Sequence, residues 1–335
     1  MSKLSIVIPV YFNAENLPPL YEDIKRKIID VIDYEYELVL VDDGSTDQSY
    51  AVMQQLAALD PHIRLFKLSR NFGSDAAVLC GLSQATGDCA VVKAADLQEP
   101  TEMILEMVAR WREGNNVVLA VREGREESRS QEWFADAYYA MTRKFALPNM
   151  PKKGFDVFLL DRKVIEVLKQ FDEPNSALTG QILWSGFRTA TVTYVRRERT
   201  IGKSRWTLKK KLKLVADTLF SFSTLPITCV TGLGVLSVLG SALWALDALV
   251  SKLSGRVAVS GWTMMFIFNL LSFGIIMLTL GLLGAYLWRT FDSSRRRPPY
   301  LIEVAEGQRS APAVRPSEAD CSSQSTPPSS PTLPL

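Results

Sequence analysis

Two uninterrupted apolar stretches, Leu225–Val250 and Gly261–Trp288, limit what this chain can fold into more than any other feature. The first runs for 26 residues with Asp247 as its sole charge, and the second runs for 28 with none. A helix rises about 1.5 Å per residue, so about 20 residues cross the roughly 30 Å hydrocarbon core of a bilayer. The sequence therefore predicts a transmembrane hairpin over 225–290, with spans at 225–250 and 261–288. The alternative is a pair of buried helices in a larger soluble protein. Asp247 is costly in hydrocarbon and is expected near the far interface or in a helix contact.

The link between the spans holds two basic residues, Lys252 and Arg256, whereas Arg196–Lys213 and Arg289–Arg297 hold many more. The positive-inside rule then puts both flanks, and with them both termini, in the cytoplasm. Arg196–Lys213 interleaves nine basic residues with Ile201, Trp206, Leu208 and Leu212, the pattern of a surface-lying amphipathic segment over 196–224. Formal net charge is only +2, and its uneven distribution points to membrane lipids and not to nucleic acid. Residues 291–335 form a cytoplasmic tail, rich in Ser and Pro and expected to be disordered from about 306. Gly232, Gly234 and Gly240 offer small contact surfaces through which two copies can pack as a homo-oligomer.

Ahead of residue 196 the pattern changes. Short β-branched runs at Leu4–Pro9, Glu37–Asp42, Arg64–Leu68, Cys89–Ala94 and Val117–Val121 alternate with helical stretches near 20–31, 48–58, 74–85 and 101–113. That alternation predicts βαβ units on a mainly parallel sheet. Further helices near 133–147, 162–171 and 176–185 and a strand at Thr189–Val195 complete a domain over 1–195. The N-terminus lacks a signal-peptide layout, because its apolar run is short and turns at once. Cys80, Cys89, Cys229 and Cys321 have neither metal spacing nor a disulfide framework.

In an open α/β sheet, ligands bind outside the carboxyl ends of the strands. Four strand-end loops therefore belong to one crevice: Ile8–Asn13, Val41–Asp47, Leu68–Gly73 and Lys93–Pro100. Carboxylates there accept hydrogen bonds from a nucleobase imide or ribose hydroxyls, which marks Asp42 and Asp43; Asp47 reads as a helix cap. No Ser-His-Asp set, phosphate loop or zinc spacing occurs, so hydrolase and nucleotidase readings have no support.

With these loops in this order, the chain resembles family 2 glycosyltransferases of the GT-A, Rossmann-like fold. The resemblance is to bacterial polyprenyl-phosphate hexose transferases and dolichol-phosphate mannose synthases, and it extends from about Leu4 to Tyr300. It implies a nucleotide-sugar donor, with a UDP-sugar favoured, held by Pro9, Tyr11, Asp42, Asp43, Arg70 and Asp96. It implies a polyprenyl phosphate acceptor and a bacterial inner membrane location. It also implies Mg2+ or Mn2+ on Asp96 and Gln98, ions that take oxygen ligands. The family's Asp-x-Asp pair falls here on Ala94 and Asp96, so the first acid is missing. Lys153–Arg162 looks like the acceptor-side loop, with Asp156 as the catalytic residue and Asp161 and Arg162 capping the next helix. An acceptor phosphate is already largely ionised at neutral pH, with a second pKa of about 6, so Asp156 has little proton to remove. It orients the acceptor, stabilises charge on the sugar ring, or is a solvated loop carboxylate. Arg196, Arg199, Lys203 and Arg205 resemble the residues that meet the lipid phosphate, for which guanidinium forks are suited. Ala285 stands where the family has a Glu. Two readings remain open at this point: an active polyprenyl-phosphate hexosyltransferase, or a catalytically silent relative that binds nucleotide sugar or lipid as an assembly partner.

Overall fold

The computed structural model of the protein describes residues 2–123, 129–171, 177–197, 215, 217–254 and 261–307. Eight strands form one sheet: β1 (Lys3–Val10), β2 (Glu35–Asp42), β3 (Ile63–Leu68), β4 (Cys89–Val92), β5 (Val117–Arg122), β6 (Phe155–Asp161), β7 (Thr189–Tyr194) and β8 (Ile302–Glu306). Their order is β7-β5-β6-β4-β1-β2-β3-β8. The pairs β1 with β2, β1 with β4, β2 with β3 and β5 with β7 are parallel, whereas β6 and β8 run antiparallel to their neighbours. The expected α/β architecture with a mainly parallel sheet is thus present.

The helices of the sheet domain are α1 (Leu17–Ile24), α2 (Ser49–Leu59), α3 (Ser74–Gln84), α4 (Met103–Arg112), α5 (Arg129–Phe145), α6 (Arg162–Leu168) and α7 (Leu178–Trp184). Strand alternation divides the core between the two faces of the sheet. Leu4, Ile6 and Ile8 of β1 and Leu38 and Leu40 of β2 pack with α1, α2 and α4. Val7, Val39 and Val41 pack with α3, α6 and α7 on the other face. Near-continuous apolar strands buried on both faces are what a parallel sheet requires.

Two strands depart from expectation. The segment expected as an acceptor-side loop is β6, inserted antiparallel between β4 and β5. Phe155, Val157, Phe158, Leu159 and Leu160 give it an almost unbroken apolar run, which a central strand needs and a loop does not. The tail does not leave the fold directly after the hairpin either: β8 adds to the edge of the sheet beside β3. Lys67 pairs with Glu303 at 3.2 Å, and Glu306 accepts from Tyr50 Oη at 3.1 Å and Gln54 Nε2 at 2.9 Å. The disorder expected from about 306 lies outside the described residues from 308 onward.

Helix α8 spans Leu225–Leu253 and α9 spans Gly261–Ser294. Within α9, Leu271–Ser294 is long and apolar enough to cross a membrane and none of it is buried inside the protein. Large exposed apolar side chains concentrate on these two helices, among them Leu243, Trp244, Leu271 and Leu287. Helical residues 217–222 clamp the end of α9 to the sheet domain. Arg289 donates to Asp217 at 2.7 Å and lies over the Phe220 ring at 5.0 Å, while Tyr138 and Thr218 share a hydrogen bond of 3.0 Å.

Candidate functional site

The carboxyl ends of β1, β2, β3 and β4 bring the four expected loops to one edge of the sheet. After β1, Phe12 takes a left-handed backbone (φ 56°), held by donation from its N–H to Ser45 Oγ at 3.0 Å. Leu97, in the loop after β4, is also left-handed (φ 60°). Each such non-glycine residue costs about 1–2 kcal/mol, a cost that folds retain mainly where a site needs the shape.

Asp42 and Asp43 are both buried yet act differently. Asp43 accepts three hydrogen bonds, from Asn71 Nδ2 at 3.0 Å, Phe72 N–H at 2.7 Å and Gly73 N–H at 3.0 Å. It shapes the loop after β3 and the start of α3. Gly44 makes this closeness possible, because at φ +70° an added Cβ would lie 2.5 Å from the Arg70 carbonyl carbon. Asp42 accepts from Ser45, whose N–H lies 3.1 Å from Oδ1, while its buried Oδ2 has no hydrogen-bond partner among the described residues. Burial pushes both carboxyls up from the usual range, against the hydrogen bonds that pull them down. A buried acceptor without a donor is an expensive group, and it fits a ligand N–H or O–H. Asp47, expected as a helix cap, accepts from Ser49 N–H at 3.1 Å one residue ahead of the N-cap position, Gln48.

Pro9 lies in β1 and Tyr11 follows it, its ring edge-on to Phe12 at 4.5 Å. Arg70 is exposed at the rim, with its guanidinium 4.0 Å from the Phe72 ring.

Asp156 sits at a β-bulge. Ala120 pairs with Val157 and Val121 with Phe155, so Asp156 has no opposite number on β5. The bulge also explains the packing: Phe155 and Phe158, three apart, share one face of the sheet, where strict alternation would separate them. Because β6 is antiparallel to β4, its first residues stand at the same edge as the ends of β4 and β5. There Asp156, half exposed, forms an ion pair with the largely buried Arg122 at the end of β5. Asp161 caps α6 by accepting from Lys163 N–H at 2.9 Å, as expected, whereas Arg162 reaches the Gly87 carbonyl instead.

The loop after β4 meets the end of β7. Arg196 Nη2 donates to Gln98 Oε1 at 2.5 Å and lies 3.9 Å from Asp96 Oδ2. The Arg197 N–H donates to the Gln98 carbonyl at 2.8 Å and fastens the two segments together. Beneath the loop, Lys93 is buried and donates from Nζ to the Glu99 carbonyl at 2.8 Å. Burial pushes the Lys93 ammonium down and the Glu99 carboxyl up.

The family model of glycosyl transferase family 2 matches residues 5–169. An uncharacterized glycosyltransferase of Bacillus subtilis (strain 168) is 35% identical over 304 residues, covering 90% of this chain and 94% of that protein. The prophage bactoprenol glucosyl transferase homolog of Escherichia coli (strain K12) and the bactoprenol glucosyl transferase of Shigella phage SfV are each 32% identical over 306 residues, covering 90% of this chain and 98% of theirs. The chain belongs to glycosyl transferase family 2. A solved mannosyltransferase from Pyrobaculum calidifontis, in complex with GDP-Man and Mn2+, is 17% identical with a TM-score of 0.42, covering 86% of this chain and 87% of that one. At that distance it bears on neither donor nor metal here.

For a family 2 glycosyltransferase the residues expected to hold a metal form an unusual set. Asp96 is the one carboxylate, Ala94 offers no ligand, and Gln98 Oε1 already accepts from a guanidinium. Asp96 and Arg196 together carry no net charge, against two negative charges for an Asp-x-Asp pair. No cluster of three His, Cys, Asp or Glu side chains suited to a metal occurs among the described residues. This donor set does not fit Mg2+ or Mn2+, both of which favour anionic oxygen ligands.

Arg196, expected at the acceptor phosphate, touches the loop of Asp96 and Gln98. Arg199, Lys203 and Arg205 lie outside the described residues. Sequence reading missed Arg122, Glu99 and Tyr194. Arg122 was legible in principle as the last residue of β5, since strand ends supply site residues. Nothing in the sequence signals that Glu99 Oε2 is buried without a hydrogen-bond partner among the described residues.

Proposed function

We propose that the chain transfers a hexose, with inversion, from a UDP-sugar to polyprenyl phosphate at the cytoplasmic face of the bacterial inner membrane. The observation that carries this reading is the pairing of a crevice holding a buried Asp42, its Oδ2 without a hydrogen-bond partner among the described residues, with a sheet whose last strand follows the apolar helices. The named bactoprenol glucosyl transferases, similar along nearly their whole length, supply the acceptor class.

Asp42 Oδ2 accepts from the nucleobase or ribose, and Tyr11 supplies an aromatic face beside it. Asp43 and Gly44 hold the loop that presents Arg70. An acceptor phosphate oxygen attacks the anomeric carbon, its bond to the diphosphate oxygen breaks, and the electron pair leaves with the nucleoside diphosphate. Asp156, aimed by the bulge and tied to Arg122, faces the charge that develops on the sugar ring or orients the acceptor. The acceptor arrives from the bilayer, and the basic segment containing Arg199, Lys203 and Arg205 receives its phosphate.

Topology favours two crossings. The chain leaves the sheet after β7, passes through α8 and α9, and returns to the same sheet as β8. A path that starts and ends on one side crosses an even number of times. Helices of 29 and 34 residues extend about 44 and 51 Å, ample for two spans. Both ends of the hairpin are then cytoplasmic.

The test is incubation of membranes containing the full chain with labelled UDP- and GDP-sugars and undecaprenyl phosphate. Labelled, organic-extractable phosphodiester from a UDP-hexose supports the reading, and product from GDP-sugars alone corrects the donor. Ala94 and Ala285 favour a second reading, a silent binding partner. Retained nucleotide or lipid binding with no transfer from any donor would establish it.

A further inference from the structure

We propose that the Arg196 guanidinium is the built-in counter-charge for the donor's diphosphate, standing where a divalent cation would otherwise bind. The inference rests on the donor reading above and assigns Arg196 to the leaving group in place of the acceptor. Three observations carry it. First, the carboxylate expected at position 94 is a methyl group, so the loop has lost a negative charge. Second, a positive group occupies the vicinity: Arg196 Nη2 bonds Gln98 Oε1 at 2.5 Å and lies 3.9 Å from Asp96 Oδ2. The backbone contact from Arg197 to the Gln98 carbonyl at 2.8 Å fixes its approach.

Third, Arg196 Nε is a buried donor without a hydrogen-bond partner among the described residues. Native folds leave few such groups unmatched, and a buried guanidinium N–H without an acceptor marks a place that an anionic oxygen completes. A guanidinium has five N–H donors in a fixed fork that matches phosphate oxygens, and the contacts to Gln98 and Asp96 engage only Nη2.

The transfer step balances on this basis. The bond from C1 to the diphosphate oxygen breaks, the bond from C1 to the acceptor phosphate oxygen forms, and the diphosphate gains one negative charge. Arg196 meets that charge. No proton need move when the acceptor enters as its dianion.

Full-length protein in detergent is titrated with UDP by calorimetry, in EDTA and separately in Mn2+, as wild type, Arg196→Ala, Arg196→Lys and Ala94→Asp/Arg196→Ala. Bound Mn2+ is read by electron paramagnetic resonance, and thermal unfolding reports whether each variant folds. Wild type binds UDP equally with EDTA and Mn2+, Arg196→Ala weakens binding by about tenfold or more, and Arg196→Lys keeps part of it. The double variant binds Mn2+ and recovers UDP affinity only when Mn2+ is present. Loss of wild-type UDP binding in EDTA overturns the inference, as does a folded Arg196→Ala with wild-type affinity. If Arg196→Ala does not fold, the wild-type EDTA arm and Arg196→Lys decide. Absence of UDP binding in every arm overturns the donor reading and the inference together.

Discussion

Arg122, the last residue of β5, forms an ion pair with Asp156 at the point where β6 bulges away from it. The bulge turns one residue of an otherwise buried strand outward, so the carboxylate is held by the sheet while remaining half exposed. Replacing Asp156 by Asn keeps the size and removes the charge. Transfer falls by about 100-fold or more while UDP affinity and melting temperature stay near wild type. Equal losses in UDP affinity and transfer would show that Asp156 serves the donor pocket instead.

Glu37 gives a stability prediction far from the crevice. Burial alone would raise its carboxyl, but hydrogen bonds from Ser5 Oγ, Thr86 N–H and Thr86 Oγ1 and the charge of Lys3 hold it at about 2, below its ordinary 4.5. A depressed carboxyl contributes stability above the ordinary value, lost as pH falls from 4.5 toward about 2. The shift corresponds to roughly 3 kcal/mol at neutral pH. Thermal unfolding of Glu37→Gln against pH checks it: the variant melts lower at pH 7 and loses most of the acid-side slope.

Asp43 and Gly44 organise the loop after β3. Asp43→Ala leaves the N–H groups of Phe72 and Gly73 and the Asn71 amide without their acceptor, which costs about 2–3 kcal/mol. Gly44→Ala adds a steric clash with the Arg70 backbone to a strained φ. Both variants lower the melting temperature and weaken UDP binding. Asp42→Asn, which keeps the bond from Ser45, weakens UDP binding with little loss of stability.

Strand β8 makes the region after α9 part of the catalytic sheet. Truncation before Ile302 strips the edge of β3 and removes the Glu303 and Glu306 contacts, whereas truncation after Gly307 retains them. The shorter chain has a lower melting temperature and a less ordered Arg70 loop, since Ser69 N–H donates to the Leu301 carbonyl at 3.0 Å. Hydrogen exchange across 63–73 reads the difference.

Much of the fold was legible because it rests on strong periodicity. Strands β1 to β5 and helices α2 to α4 fall close to their expected positions, each an apolar run bounded by polar turns. Strand β6 was hidden because its apolar run breaks alternation at the bulge, with the charged Asp156 between Phe155 and Val157. β8 is only five residues, two of them charged, so its pairing with β3 depends on a partner more than 200 positions away. The crevice loops were legible from strand ends. The division of labour between Asp42 and Asp43 was not, because two adjacent carboxylates look alike until their hydrogen-bond partners are known. The meeting of Arg196 with Gln98 likewise depends on β7 reaching the same sheet edge as β4.

The most direct test of the central claim is transfer of labelled sugar from UDP-hexose to undecaprenyl phosphate by the purified full-length chain, with Asp42→Ala and Asp156→Asn in parallel. The account predicts a lipid-linked product from wild type, strongly reduced in both variants, with UDP binding lost only in Asp42→Ala. A wild-type protein that binds UDP and lipid yet forms no product with any hexose donor would contradict it.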